Sequence, residues 1–298
     1  MNIIESAGLA RRFGRTWALR QCDLAIPAGH VVALVGPNGA GKTTLLNLAA
    51  GLLRPTSGQL TVLGGEQPGS APARSRIGFV AQGAPLYAHL PVADMLRVAR
   101  NLNLRFDDQL AHARLAELQI PPGRKVRELS GGQRAQLALT IALAKRPDVL
   151  ILDEPLAALD PLARHCLMSS LMAAVADDGL SVVFSSHVVS ELERIADYLV
   201  VLNGGRLQVA GEVEYLLGRH AMLTGPGSAT LREAQRAAVV HAQHGGNQTH
   251  LLVRISEPGG LPQTGWQSRP ACLEDLVLGY LGDPDARMLP GPASAVTA

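Results

Sequence analysis

The chain has 298 residues, with 27 Lys and Arg against 25 Asp and Glu, for a formal net charge of +2. A content of 47% hydrophobic and 17% charged residues can fill a core, which excludes a disordered chain, and the near-zero balance gives no reason to expect a nucleic-acid partner. The cysteines Cys22, Cys166 and Cys272 are scattered and odd in number, so neither a disulfide framework nor a zinc cluster is supported.

In chain order, short β-rich runs alternate with helical patterns up to about Gly211, which predicts an α/β layered domain. Strands are expected at Val31–Val35, Ile77–Val80, Val149–Leu152, Ser181–Ser185 and Leu199–Leu202. Val31–Val35 and Val149–Leu152 are continuously apolar, as strands covered on both faces are. Between about His89 and Arg127 the period turns helical, with runs Val92–Leu102 and Leu110–Leu118, so a helical subdomain over about 83–130 is expected inside a domain of residues 1–218. Asn203-Gly204-Gly205 predicts a hairpin from Leu199–Leu202 into Arg206–Ala210. Residues 219–283 read as a small accessory α+β domain with a helix at Leu231–Val240, a strand at His250–Ile255 and a helix at Leu273–Leu281, and 284–298 read as a loose tail. The N-terminus has no cationic-then-apolar run and no apolar stretch reaches the length of a membrane helix, so a cytoplasmic location is expected.

Directly after the Val31–Val35 run stands Gly36-Pro37-Asn38-Gly39-Ala40-Gly41-Lys42-Thr43-Thr44, and directly after that the helical run Leu45–Ala50. Glycines there let backbone N–H groups turn inward and phosphate oxygens approach, while the helix start adds partial positive charge. Lys42 is then placed to reach β and γ phosphates, and the Thr43 hydroxyl to face Mg²⁺. Asp153 and Glu154 follow the Val149–Leu152 run, Asp153 as the carboxylate for Mg²⁺ and Glu154 as the base for an attacking water.

A second anion-binding helix start is read at Leu129-Ser130-Gly131-Gly132-Gln133, with Ser130 as N-cap and two glycines leaving amides open. One cradle needs no such second site. The economical explanation is a head-to-tail dimer, each nucleotide lying between one chain's cradle and the other's Ser130 loop.

With both motifs in hand, the chain resembles the nucleotide-binding subunit of an ATP-binding cassette (ABC) transporter over roughly Ile3 to Leu217, the LSGGQ string being the most specific match. The resemblance implies an α/β fold: a P-loop cassette with a mostly parallel core sheet, an antiparallel β part, an inserted helical subdomain and a small C-terminal α+β extension. It implies that Phe13 stacks on adenine, that Gln82 senses Mg²⁺ and the attacking water, that Leu159-Asp160 form a dimer-crossing loop and that His187 contacts the γ-phosphate. A departure is Ala158, where the family pattern most often has glycine.

The expected activity is ATP hydrolysis, with ATP and Mg²⁺ bound by a homodimer or cassette heterodimer docked on separate membrane permease subunits at the cytoplasmic face. Leu86 to Leu96 is the stretch expected to meet the permease. The Cys272-Leu273-Glu274-Asp275-Leu276 run before the last apolar helix is similar to the tail of single-domain exporters of drugs, antibiotics or surface lipids, which favours export over import. The rivals are an importer ATPase and a soluble cassette ATPase acting on ribosomes or DNA. Relatives of the second kind usually carry two cassettes or long coiled coils, and this chain has one signature and no heptad run.

Overall fold

The computed structural model describes residues 1–157, 159–186, 188–189, 192–193, 195–226, 238–255 and 265–282. In chain order, β1 (Asn2–Phe13) and β2 (Thr16–Pro27) form a hairpin, β3 (Val31–Val35) leads through the glycine-rich loop into α1 (Lys42–Ala49), and β4 (Ser57–Val62), α2 (Ala71–Arg76) and β5 (Ile77–Val80) follow. Next come α3 (Val92–Leu102), α4 (Asp108–Glu117), α5 (Gly131–Ala144), β6 (Val149–Leu152), α6 (Pro161–Asp178), β7 (Ser181–Ser186), β8 (Tyr198–Asn203) and β9 (Arg206–Glu212). The remainder holds α7 (Val213–Gly218), β10 (His220–Pro226), β11 (Val239–Gly245), β12 (Gln248–Arg254), β13 (Gln267–Pro270) and α8 (Leu273–Gly282).

Six strands in the order β5-β6-β7-β3-β8-β9 make the central sheet. Its pairs are parallel except the β8–β9 hairpin. Successive side chains on β3 point to opposite faces, and both faces are covered. Val31, Ala33 and Val35 enter one core with Leu139 of α5 and Leu167 and Leu171 of α6. Val32 and Leu34 enter a second core with Leu45, Leu46 and Leu48 of α1 and with Ile4, Leu9, Leu19 and Ile26 from a three-stranded antiparallel sheet, β2-β1-β4. At roughly 1.5–3 kcal/mol for each fully buried aliphatic side chain, these two layers hold β3, and with it the loop at its end, in place.

The helical insert has its own core, in which Val92, Met95 and Leu96 of α3 and Ala111 and Leu115 of α4 meet Leu137 and Ala144 of α5. Because α5 also packs on the central sheet through Ala138, Leu139 and Ala142, one helix ties the insert to the sheet. A third sheet, β11-β12-β10-β13, is antiparallel throughout. α8 sets Leu276, Val277 and Tyr280 into the same core as Leu199 and Val201 of β8.

Among the differences from the sequence reading, two change an expected element type or leave a whole sheet unread. β1 and β2 carry a long hairpin where no strand was expected, because bulges near Leu9 and Arg11 and a run of arginines break the apolar alternation. Val239 and Val240, expected to end a helix, begin β11 against Val253 of β12. Residues 231–237 of that expected helix, like the expected tail, lie outside the described residues.

Candidate functional site

The loop after β3 is shaped by two glycines. A side chain on Gly36 would put its Cβ 2.3 Å from the Leu202 carbonyl oxygen, so only glycine lets β3 and β8 approach this closely. Gly41 sits at φ 106°, with Ala18 and Leu19 of β2 against it, and stands as N-cap of α1 with no side chain capping the helix. The amides of that first turn are therefore available to an anion, and the helix dipole points at it. Pro37, Asn38 and Gly39 are exposed at the rim, Ala40 is buried, and Thr43 and Thr44 open the helix with Thr43 exposed.

Lys42 is only 5% exposed. Its ammonium donates to the carbonyls of Gly36 at 2.7 Å and Pro37 at 3.3 Å and lies 3.6 Å from Glu154 Oε1. Gln82, just past β5, donates from Nε2 to Glu154 Oε2 at 3.2 Å. The ends of β3, β5 and β6 thus bring Lys42, Gln82 and Glu154 together at the carboxyl edge of a parallel sheet, where open α/β folds bind ligands.

Asp153 is buried at 2% exposure, and its Oδ1 accepts a hydrogen bond from Ser185 Oγ at 2.8 Å. The same Ser185 oxygen accepts the Glu154 amide N–H at 2.8 Å. Glu154 holds φ 44°, a left-handed conformation uncommon for a residue with a Cβ. Ser185 has no place in the motifs. Its signal was a polar residue closing an otherwise apolar strand, Ser181-Val182-Val183-Phe184-Ser185-Ser186.

The donor set fits a magnesium nucleotide. A buried ammonium and an uncapped helix start suit phosphates, and the Asp153 carboxylate, the Gln82 amide and the Thr43 hydroxyl supply the hard oxygens that Mg²⁺ prefers.

Phe13 ends β1 at 46% exposure, with the Arg11 guanidinium 4.6 Å from its ring centroid. It lies opposite Thr16 at the tip of the hairpin whose second strand borders Gly41 through Ala18 and Leu19, so an exposed ring is carried on the same hairpin that borders the loop.

Ser130 caps α5: its Oγ accepts the Gln133 amide at 3.1 Å, and Gln133 Oε1 accepts the Ser130 amide at 3.2 Å, a reciprocal capping box. Gly131 is exposed, whereas Gly132 lets α5 pass close to Ala163 of α6. Asp160 accepts the Ala163 amide at 2.9 Å and caps α6. Ala158 and His187 lie outside the described residues.

Three comparisons bear on this arrangement. The family model described as ABC transporter matches residues 19–157. The Nod factor export ATP-binding protein I of Burkholderia lata is 34% identical over 296 residues, covering 94% of this chain and 97% of the relative. The sulfate/thiosulfate import ATP-binding protein CysA of Caulobacter vibrioides is 39% identical over 212 residues, covering 67% of this chain and 62% of the relative. Among solved structures, an ATP-binding subunit of an ABC transporter superposes with a TM-score of 0.64 at 26% identity, covering 72% of this chain and 91% of the other. A dimeric bacterial ABC transporter cassette superposes with a TM-score of 0.62 at 25% identity, covering 70% and 98%.

Proposed function

The chain belongs to the ABC transporter family, and from that premise we propose that it is the ATP-hydrolysing subunit of an exporter, acting as a nucleotide-bridged dimer on separate membrane permease subunits. The observation that carries the chemistry is the convergence of Lys42, Gln82 and Glu154 at one edge of the sheet. Export is favoured by coverage. The likeness to the export protein runs through the C-terminal sheet and α8, over 94% of the chain, whereas the likeness to the import protein takes in 67% of it.

Lys42 and the first-turn amides of α1 hold the phosphates, and Phe13 offers its ring to the base. Thr43, Gln82 and Asp153 are the residues that would hold Mg²⁺, which when bound offsets phosphate charge. As the Lys42 ammonium turns to phosphate oxygens it gives up Glu154 Oε1, and that carboxylate becomes available to accept a proton from water. Gln82, already bonded to the other carboxylate oxygen, keeps Glu154 oriented. Ser130, Gly131, Gly132 and Gln133 form the helix start presented to the nucleotide of the second copy. Asp160 is assigned to the segment that crosses between copies, and the family resemblance assigns His187 the role of contacting the γ-phosphate. Little bond-making falls to the protein itself, so catalysis is positioning plus charge stabilisation.

A groove of about 660 Å³ beside the helical insert is lined by Leu52, Phe79, Leu86, Leu102 and Leu104, with Leu104 91% exposed. The same groove takes in Arg74, Asn103 and Lys145, and because Leu86 lines it, it adjoins the Leu86–Leu96 stretch assigned to the permease; no helix among the described residues is long and apolar enough to cross a membrane.

The test is Glu154→Gln. Turnover falls by roughly 10²–10⁴, the worth of a general base, while ATP binding persists. Wild-type phosphate release by that variant overturns the base assignment. Purified from solubilised membranes with ATP present, the variant brings an integral membrane protein with it; ribosomes or nucleic acid in its place overturn the transport reading.

A further inference from the structure

We propose that Ser185 is a positioning residue for hydrolysis, clamping the metal-side carboxylate and the base to one another through a single hydroxyl. The inference rests on the reading of Asp153 as the magnesium-side carboxylate and of Glu154 as the base.

The direction of each hydrogen bond follows from the groups involved. A backbone N–H can only donate, so the Glu154 amide gives its proton to Ser185 Oγ at 2.8 Å. The hydroxyl's one proton then goes to Asp153 Oδ1 at 2.8 Å. Ser185 is fully buried, at 0% exposure, so water does not compete for either bond. β6 and β7 are neighbouring parallel strands with Leu152 opposite Phe184, which brings Ser185 beside the turn that follows β6.

The anchored amide belongs to the residue with the unfavourable backbone. A left-handed Glu154 costs about 1 kcal/mol or more, and such a conformation persists only where its surroundings hold it. The Ser185 bond is one such hold, and the conformation it keeps carries the Glu154 carboxylate to within 3.6 Å of Lys42 and 3.2 Å of Gln82. At the same time the bond fixes the rotation of Asp153 through one oxygen. Outer partners of this kind change metal affinity or activity by roughly 10–100-fold when removed.

The experiment compares Ser185→Ala, Ser185→Cys and Ser185→Thr with the wild type and with Glu154→Gln. It measures ATP turnover, the affinity for a fluorescent ATP analogue in EDTA, and the Mg²⁺ concentration at which analogue binding is half-maximally enhanced. Ser185→Ala loses about 10–100-fold in kcat and needs several-fold more Mg²⁺ to enhance binding, with affinity in EDTA unchanged; Ser185→Thr, which keeps the hydroxyl, recovers both. Ser185→Cys, a weak donor of similar size, carries the comparison if the alanine variant does not fold, and shows the same losses in reduced degree. Wild-type kcat and Mg²⁺ demand in the variants lacking the hydroxyl overturn the proposal, as does a threonine variant that fails as fully as alanine. If Glu154→Gln is inactive while Ser185→Ala and Ser185→Cys match the wild type, this inference alone fails. If Glu154→Gln itself turns over normally, the reading beneath it fails.

Discussion

Glu154 combines a left-handed backbone with a side chain shared between Lys42 and Gln82. Its conformation has a consequence that can be isolated from its charge. Glu154→Gly and Glu154→Ala both delete the carboxylate, so the difference between them reports the backbone alone. Glycine is expected to be the more stable of the two by about 1 kcal/mol, measured by denaturant unfolding, and both variants are expected to lose turnover. Equal stabilities, or a more stable alanine variant, would show that the backbone strain is absent. Most of the candidate site could be proposed from sequence because its parts are contiguous: Gly36 to Thr44 and Asp153-Glu154 each stand in a single run, and the structure brings Lys42 and Glu154 within 3.6 Å of one another. Ser185 was not legible, because its importance comes from a contact across 32 residues, made only once β6 and β7 pair.

Among the elements, the strands of the central sheet were readable where both faces are buried, since continuous apolarity survives any register. β1 and β2 were not, because bulges shift the alternation and arginines occupy the exposed positions. α6 was overlooked although Asp160 at the N-cap and Pro161 just inside it are standard start signals. The junction of α7, β10 and α8 has a pH dependence of its own. His220 is buried; its Nδ1–H donates to the Leu216 carbonyl at 2.7 Å and its Nε2 accepts from the Tyr280 hydroxyl at 2.9 Å. Arg254 stands beside that hydroxyl. Burial first, and then the charges of Arg254 and Arg219, hold the His220 pKa below its ordinary 6.5, against the pull of the Leu216 carbonyl. A depressed histidine pKa means that the unfolded chain takes up the proton first. Stability is therefore full above about pH 6.5 and falls as pH drops below it, down to the folded pKa, by at most about 1.4 kcal/mol per pH unit. Urea unfolding between pH 7.5 and 5.5 checks this, with His220→Phe as the reference in which that part of the slope disappears. An unchanged slope in the variant would remove His220 as its source.

On the scale of the whole molecule, the C-terminal segment is built into the cassette's core, since α8 shares its cluster with β8. The sequence showed α8 as an apolar helix and could not show where it docks, because docking depends on the two-sided burial of a sheet far away in the chain. The β8–β9 turn lies between α8 and the glycine-rich loop. The Asn203 side-chain amide donates to the Leu281 carbonyl at 3.0 Å at the end of α8, and two residues on, the Gly205 amide donates to the Ala40 carbonyl at 3.2 Å in the loop. Each end of the turn is thus fastened to a different partner. A ligand that binds only the folded state stabilises whatever must stay folded for it to bind. If nucleotide binds at the loop as proposed, it acts as a thermodynamic fastener for α8, and backbone amides in α8 are expected to exchange with deuterated solvent more slowly when nucleotide is saturating. Slower exchange in the wild type but not in Asn203→Ala identifies the turn as the link; α8 exchange indifferent to nucleotide would mean that the two ends of the turn open independently.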